Sequence, residues 1–276
     1  MPALTLHLLA FNDPTLDAKV FVNQLKVSPG VHVVVASRPR HVVVQPTTLD
    51  TNPLLTQRWD LMLLLQPTQQ QQQPSIIPSS LQSAISAEYR ILAGIPSKLL
   101  TSFPERDANL KHQAPPPLTG SLDEIRRSSK ESSQNLEVSP ELLAFMDKLT
   151  VEHNKPVTML NLLHFHHPDG KKNYFQYGQA FIPVAGKRGG NAKLVGNVVK
   201  PPSAAQNDSR ARYDQPEQEW WNEISIVHYP SIRHFCDMLA GADYQQINEK
   251  HRLKALRDTF LLCTTEFDVE EGRPKL

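Results

Sequence analysis

Two stretches of the sequence decide the fold: LTLHLLAFNDP at residues 4–14 and TMLNLLHFHHP at residues 158–168. Placed together, they share a leucine pair, a phenylalanine and a final proline, and they set His7 opposite Asn161. Both begin as aliphatic runs of strand length that end at a turn signal. The echo indicates that the chain contains the same structural unit twice.

A second echo follows in the same order. WDLMLLLQP at residues 59–67 corresponds to NEISIVHYP at residues 222–230, and both end in proline. The segments between the echoes also correspond, with a helical pattern after the first strand and a β-branched run before the next. Two echoes in one order favour a tandem duplication over a chance match.

Each half is predicted to have the element order βαββαβ. The first half is assigned strands at 3–11, 31–44, 59–66 and 98–103 and helices at 15–26 and 78–93. The second half is assigned strands at 157–165, 192–199, 220–229 and 259–267 and helices at 172–187 and 231–256. Ser139-Pro140-Glu141 begins an extra helix, with Ser139 as its N-cap.

These elements divide the chain into two domains, residues 1–103 and 139–276, joined by a linker at 104–138 that is rich in proline, serine and charge. Two more segments read as loops inserted into the domains. One is the glutamine run at 69–73, and the other is a polar loop at 200–218 that either caps a cleft or is only a connection.

Composition excludes several classes of protein. Lys+Arg 29 against Asp+Glu 28 leaves a net charge of +1, so no basic surface is expected to bind nucleic acid. The longest apolar run is only strand length, so no membrane span is expected, and the N-terminus lacks the features of a signal peptide. Two cysteines in 276 residues form no disulfide framework. We therefore expect a cytoplasmic protein.

The second half resembles the small uncharacterised domains of the dimeric α+β barrel superfamily. The resemblance is carried by Asn-Leu-Leu-x-Phe at 161–165, Tyr-x-x-Tyr-Gly at 174–178, Asp-Tyr-x-x-Ile at 243–247 and His-Arg at 251–252. The first half resembles the family only through its echo of the second. The resemblance implies two ferredoxin-like βαββαβ domains whose antiparallel sheets face each other as an intrachain barrel around a pocket.

Strand alternation predicts which side chains line that pocket. In the first strands, Leu4, Leu6 and Leu8 are expected to face the helices, and His7 and Asn161 the barrel. In the third strands the barrel face carries Asp60, Glu223, Ser225 and Tyr229. A histidine near a carboxylate in a partly apolar pocket is the minimum for general acid–base catalysis. Asp60 and Glu223 could equally lie solvated at the barrel rim.

We predict catalytic roles for His7, Asn161, Glu223, Ser225 and Tyr229, and substrate contacts for Asp60, Tyr177, His251 and Arg252. Arg252 could bind a carboxylate or an enolate, or could pair with Glu249 or Asp258. No cofactor or metal is expected. His164 and His166 lie at a turn where histidines are usually solvated, and nothing distinguishes His234 or His251 as a haem ligand.

Two functions remain open. One is a cofactor-independent enzyme that acts on a small aromatic or polyketide-like compound, as a cyclase, isomerase, lyase or oxygenase. The other is a non-catalytic small-molecule-binding or assembly module of the same fold. A pocket of mixed polarity would favour the enzyme, and a pocket filled by leucines the module. The expected partner is a small-molecule ligand, and a homodimer is a further expectation.

Overall fold

The structure is a computed structural model, and it describes residues 1–68, 76–125, 135–201, 208–209 and 215–270. The glutamine run at 69–73 and most of the loop at 200–218 lie outside the described residues. Within the described residues, no helix combines the length and the apolar character that crossing a membrane requires.

Eight strands form one closed antiparallel barrel in the order β1-β3-β2-β8-β5-β7-β6-β4. They are β1 (Ala3–Phe11), β2 (Val31–Val44), β3 (Leu61–Pro67), β4 (Ile85–Gly94), β5 (Val157–Phe165), β6 (Asn191–Val198), β7 (Glu223–Tyr229) and β8 (Leu256–Glu266). Each half contributes four adjacent strands in the same relative order, fourth-first-third-second. The prediction of a mixed α+β chain with an antiparallel barrel is confirmed.

Helices connect these strands along the sequence, and one more helix follows β8. They are α1 (Ala18–Lys26), α2 (Thr51–Leu55), α3 (Ser79–Gln82), α4 (Ser97–His112), α5 (Ser121–Ile125), α6 (Pro140–Glu152), α7 (Gly170–Gly186), α8 (Ile232–Ala240), α9 (Ala242–Ile247), α10 (Leu253–Ala255) and α11 (Phe267–Glu270). A π-helical turn, Asn248–Arg252, joins α9 to α10. As predicted, the Ser139 hydroxyl caps α6 by accepting the Leu142 N–H at 3.1 Å.

Two seams of unequal length close the barrel between its halves. The long seam pairs residues 37–44 of β2 with residues 261–266 of β8. The short seam pairs only Ala93 with Val198 and Gly94 with Asn197. The two sheets therefore face each other across the interior and are also joined at both edges.

The barrel interior is packed with apolar side chains from all eight strands. They include Leu4, Leu6, Leu8, Val35, Met62, Leu64, Tyr89, Ile91, Leu160, Leu162, Leu194, Ile224, Ile226, Phe260 and Leu262. At one end, Asp50 accepts hydrogen bonds from the Tyr89 hydroxyl at 2.5 Å and from the Trp221 indole at 3.0 Å. The interior is thus a continuous hydrophobic core, with a polar closure at this end.

Buried ion pairs lie near the ends of β6 and β8. The Lys193 ammonium contacts Asp107 of α4 and lies 2.5 Å from Glu266, and Lys111 lies 2.6 Å from Glu266. The two ammonium groups lower the pKa of Glu266 to about 2. Each charge of this cluster therefore has an opposite charge beside it, which offsets the cost of burial.

The predicted faces of the first strands are wrong. Leu4, Leu6 and Leu8 face the interior, whereas Leu9 and Phe11 pack with α1 on the outer face. His7 shares that outer face because strand neighbours two residues apart point to the same side. In β7 the assignment is inverted in the same way, because Ile224 and Ile226 fill the interior. The pocket that His7 was predicted to line is filled by core side chains.

Three predicted elements are also wrong: the helix at 78–93, the strand at 98–103 and the long helix at 231–256. Residues 78–93 form the one-turn helix α3 and then strand β4, not one helix, and residues 98–103 lie in α4, not in a strand. Helix α4 continues past residue 103 to His112, so the first part of the predicted linker is helical. The long helix predicted at 231–256 is divided into α8, α9, the π-helical turn and α10.

Candidate functional site

A cavity of about 630 Å³ lies on the outer face of the second half, between the sheet and helix α7. We call it the α7 cavity. Polar lining residues are Arg106, Asn161, Lys171, Tyr174, Tyr177, Gln179, Asn191, Glu223, Ser225, Tyr229, Tyr244 and Arg252, and apolar ones include Met159, Phe181, Val227, Phe235, Met238 and Leu261. Its volume is typical of a site for a small molecule.

Aromatic rings on α7 form one wall of the cavity. Tyr174, Tyr177 and Phe181 recur at helical spacing and therefore share one face of the helix. Their ring centroids follow one another at 5.3 Å and 5.6 Å. Phe165, at the end of β5, continues this row 5.3 Å from Tyr174. The row holds α7 against the sheet through side-chain rings.

Outward-facing residues of β5 and β7 form the opposite wall. Asn161 and Ser225 are direct partners in the strand ladder, and Leu163 is the partner of Glu223. At the end of β7, a Cβ on Gly190 would come within 2.8 Å of the Tyr229 ring. A glycine is therefore required there for β6 to begin beside that ring.

Glu223 is the carboxyl group of the cavity. Burial raises its pKa to about 7, against an opposing effect of the Lys171 ammonium. Within the described chain no cation lies within 4 Å of Glu223, so its protonated and ionised forms are both populated at neutral pH. A carboxyl group poised in this way can both donate and accept a proton.

Arg252 brings a buried positive charge to the same cavity. Its side chain donates to the Thr259 hydroxyl at 3.3 Å, and the residue is 3% exposed. The π-helical turn of which it is the last residue lies against α7. The guanidinium therefore reaches the cavity from the side of the helices.

The cavity's phenol groups stay protonated. The Tyr177 hydroxyl donates to the Tyr244 hydroxyl at 3.3 Å. Burial raises the pKa of Tyr174, Tyr177, Tyr229 and Tyr244. Tyr177 already donates to Tyr244, and Tyr229 donates to the Met238 sulfur at 3.4 Å. Tyr174 and Tyr244 therefore keep a hydroxyl proton that they can donate to a molecule in the cavity.

Six of the nine predicted site residues line this one cavity: Asn161, Glu223, Ser225, Tyr229, Tyr177 and Arg252. His7, Asp60 and His251 do not. Asp60 accepts the Phe11 N–H at 2.9 Å at the edge of the first half, and His251 is half-buried on the π-helical turn.

His7 is fully buried on the outer face of the first half, with its Nδ1 2.6 Å from Glu88. Burial lowers its pKa, against the opposing effect of the Glu88 carboxylate. The histidine and its carboxylate therefore exist as a pair, but on the other half of the barrel from the α7 cavity.

Two residues of the cavity carried a sequence signal that the site prediction did not use. Tyr174 lies three residues before Tyr177, which places both on one helix face. Tyr244 belongs to the Asp-Tyr-x-x-Ile pattern that supported the family resemblance. Lys171 gave no such signal, because an isolated lysine near a helix N-terminus is common on protein surfaces.

The histidines weighed as metal or haem ligands have other contacts. His164 is buried and its Nε2 lies 3.1 Å from the Gln218 carbonyl oxygen, whereas His166 is exposed. His234 uses both ring nitrogens, toward the Ser231 hydroxyl at 2.8 Å and the Pro116 carbonyl oxygen at 2.9 Å. The carboxylates of Asp107, Glu266 and Asp268 converge within the described residues, but lysine ammonium groups lie among them.

Solved structures with a likeness to this chain superpose on it with low TM-scores. A structural-genomics protein of unknown function from Rhodopseudomonas palustris is 25% identical, covers 46% of this chain and 93% of its own, and superposes with a TM-score of 0.34. Chlorite dismutase from Candidatus Nitrospira defluvii is 11% identical over 98% of this chain and 94% of its own, with a TM-score of 0.42. No protein-family model and no curated protein matches the chain.

The strand order gives an antiparallel barrel closed within one chain, which is the architecture that the sequence resemblance implied. At these TM-scores the likenesses do not bear on what this chain does. Its chemistry has to be inferred from the residues of the α7 cavity.

Proposed function

We propose that the chain binds a small, largely apolar molecule in the α7 cavity and that Glu223 transfers a proton to or from it. The proposal keeps the predicted acid–base enzyme for aromatic or polyketide-like compounds, and moves its site from the barrel interior to the outer face. The observation that carries it is a half-buried carboxyl group with a pKa of about 7 inside a cavity of ligand size.

The cavity supports such a reaction in two ways. Its aromatic and aliphatic walls exclude water and accept an apolar body, while Asn161 and Ser225 present polar groups beside Glu223. A general acid or base works best when its pKa lies near the working pH. Ionised Glu223 would take a proton from a carbon next to a carbonyl, giving an enolate and protonated Glu223. Glu223 would then return that proton to another atom of the enolate, so that the net reaction is an isomerisation.

Exchange of carbon-bound hydrogen tests this role. We expect the protein to accelerate deuterium uptake in D₂O at the carbon next to the carbonyl of phenylpyruvate or of the neutral ketone phenylacetone. Glu223→Gln should slow this exchange by about 100-fold or more, because the amide cannot accept the proton. The rate should rise with pH through a single ionisation near 7.

Glu249→Gln is the matched control, because Glu249 is exposed and does not line the cavity. It should exchange at the wild-type rate. If Glu223→Gln exchanges as fast as wild type, Glu223 is not the proton-transfer group. If both ketones bind but neither exchanges faster than in buffer, the chain is the non-catalytic binding module instead.

A further inference from the structure

Arg252 has no counter-charge among the residues that the structure describes. Among the described residues no carboxylate lies within 4 Å of its guanidinium, and Thr259 supplies a neutral hydroxyl. An arginine side chain remains charged even when it is buried. A buried charge without a partner is costly, so an anion that reaches Arg252 gains an interaction that the protein leaves open.

Neither predicted partner of Arg252 fills this role. Asp258 accepts the backbone N–H groups of residues 47–49 with its carboxylate oxygens, at distances from 2.8 to 3.2 Å. Glu249 is exposed, whereas Arg252 is buried. The open position beside Arg252 is therefore left to a bound molecule.

Glu223 does not neutralise Arg252 either. The two side chains line the same cavity, but no ion pair joins them. Among the charged groups, Lys171 is the one that lowers the pKa of Glu223, and burial outweighs it. The Arg252 guanidinium and the Glu223 carboxyl group are thus separate positions of the cavity that a ligand could meet independently.

The groups around Arg252 suit an oxyanion. Its positive charge acts on Tyr174, Tyr177 and Tyr244, whose hydroxyl groups stay protonated. Tyr177 donates to Tyr244, so Tyr174 and Tyr244 are the phenols that can donate to a ligand. Planar guanidinium and phenol donors match the two oxygens of a carboxylate. In the part of the chain that the structure describes, three cations line the cavity, and of these Arg252 is buried, Arg106 is half-buried and Lys171 is exposed. The buried guanidinium balances one negative charge, and the apolar walls accept an uncharged body.

We infer that the ligand of the α7 cavity is a monocarboxylate with an apolar or aromatic body, bound through its carboxylate to Arg252. The inference rests on the cavity named in the proposed function and assigns it a substrate class. A phosphate dianion would leave a second negative charge in the same cavity as Glu223, so a carboxylate fits better.

Binding of 4-phenylbutyrate and of the neutral 4-phenylbutanol, measured by titration calorimetry at pH 8, tests the assignment. We expect the acid to bind about 30-fold tighter than the alcohol, as a desolvated charge pair would provide. Arg252→Gln should remove this preference by weakening the acid alone. Arg252→Lys should keep part of it, because it retains the charge without the planar donors.

Arg257→Gln removes an exposed arginine and should leave both affinities unchanged. A circular-dichroism melt of each variant shows that it is folded, and Arg252→Lys supplies the test if Arg252→Gln does not fold. Equal binding of acid and alcohol by the wild type overturns the substrate class but leaves the cavity's function standing. If neither compound binds, and no ketone undergoes exchange, the proposed function itself is wrong.

Discussion

The outer faces of the two halves have the same strand order but different contents. In β1 and β5 the echo pairs His7 with Asn161, and the observed ladders give these residues the partners Leu63 and Ser225. Extending the same register, the third strand presents Leu61, Leu63 and Leu65 in the first half and Glu223, Ser225 and Val227 in the second. The outer face of the first half is therefore filled by leucines, whereas that of the second half carries Glu223 and Ser225 and borders the α7 cavity.

The covering helices differ to match. Helix α1 has 9 residues and packs Phe21, Val22 and Leu25 directly on the leucines. Helix α7 has 17 residues and meets the sheet through a row of rings that borders the cavity. The comparison shows that one scaffold supports either a core or a site, and that a few outward positions on the third strand decide which.

The largest effect is expected when the serine found at position 225 of the second half is placed at the equivalent position 63 of the first half. Leu63 is fully buried, so Leu63→Ser leaves a cavity and buries a hydroxyl group. We expect the free energy of unfolding to fall by about 3 kcal/mol or more. Urea unfolding followed by tryptophan fluorescence measures the change. A loss below about 1 kcal/mol would show that this face is not the tightly packed core described above.

The reverse exchange should affect binding more than stability. Ser225→Leu places a larger apolar side chain in the α7 cavity, where there is space for it. We expect 4-phenylbutyrate to bind about 10-fold more weakly, while the free energy of unfolding changes by less than about 1 kcal/mol. Unchanged affinity in titration calorimetry would mean that the compound binds outside this cavity.

Replacing His7 by the asparagine found at the equivalent position 161 should have a smaller effect, on the pH dependence of stability. Burial lowers the pKa of folded His7 below its usual 6.5, so below pH 6.5 the unfolded chain binds more protons than the folded one. This histidine therefore makes the folded state less stable as the pH falls through that window. His7→Asn should reduce the slope of unfolding free energy against pH by up to about 1.4 kcal/mol per pH unit.

Urea unfolding at pH 5.0, 5.5, 6.0 and 6.5 measures that slope. Glu88, the partner of His7, also has a lowered pKa. Its contribution is present above its unfolded pKa of 4.5 and is lost only below that pH, outside the measured window. An unchanged slope in His7→Asn would show that His7 is not buried in its neutral form.

Sequence reasoning predicted several elements well and the faces of the strands poorly. The strands at 31–44 and 157–165 have the predicted bounds. In β1 and β5, however, both faces are buried, one in the barrel and one under helices. Alternation identifies a face only when one side meets water, so the polar residues His7 and Asn161 did not reveal which side is inside.

The register of the third strand could not be read from the echo either. The sequence match pairs Leu61 with Ile224, but the ladders pair Leu61 with Leu9 and Glu223 with Leu163, so the true equivalence is shifted by one residue. A shift of one residue moves every side chain to the other face. Alternation still assigned one common face to Asn161, Glu223, Ser225 and Tyr229. That face is the outer one, and all four residues line the cavity there.

The barrel is closed by seams within a single chain, and this has a consequence for how its two faces can change. In a barrel made from two identical subunits, any substitution occurs at both symmetry-related positions. A serine that opens one face of such a dimer also weakens the packing of the other. Here positions 63 and 225 are encoded separately. The second half can therefore replace packed leucines by the polar residues of a cavity, while the first half keeps the leucines that stabilise the whole barrel.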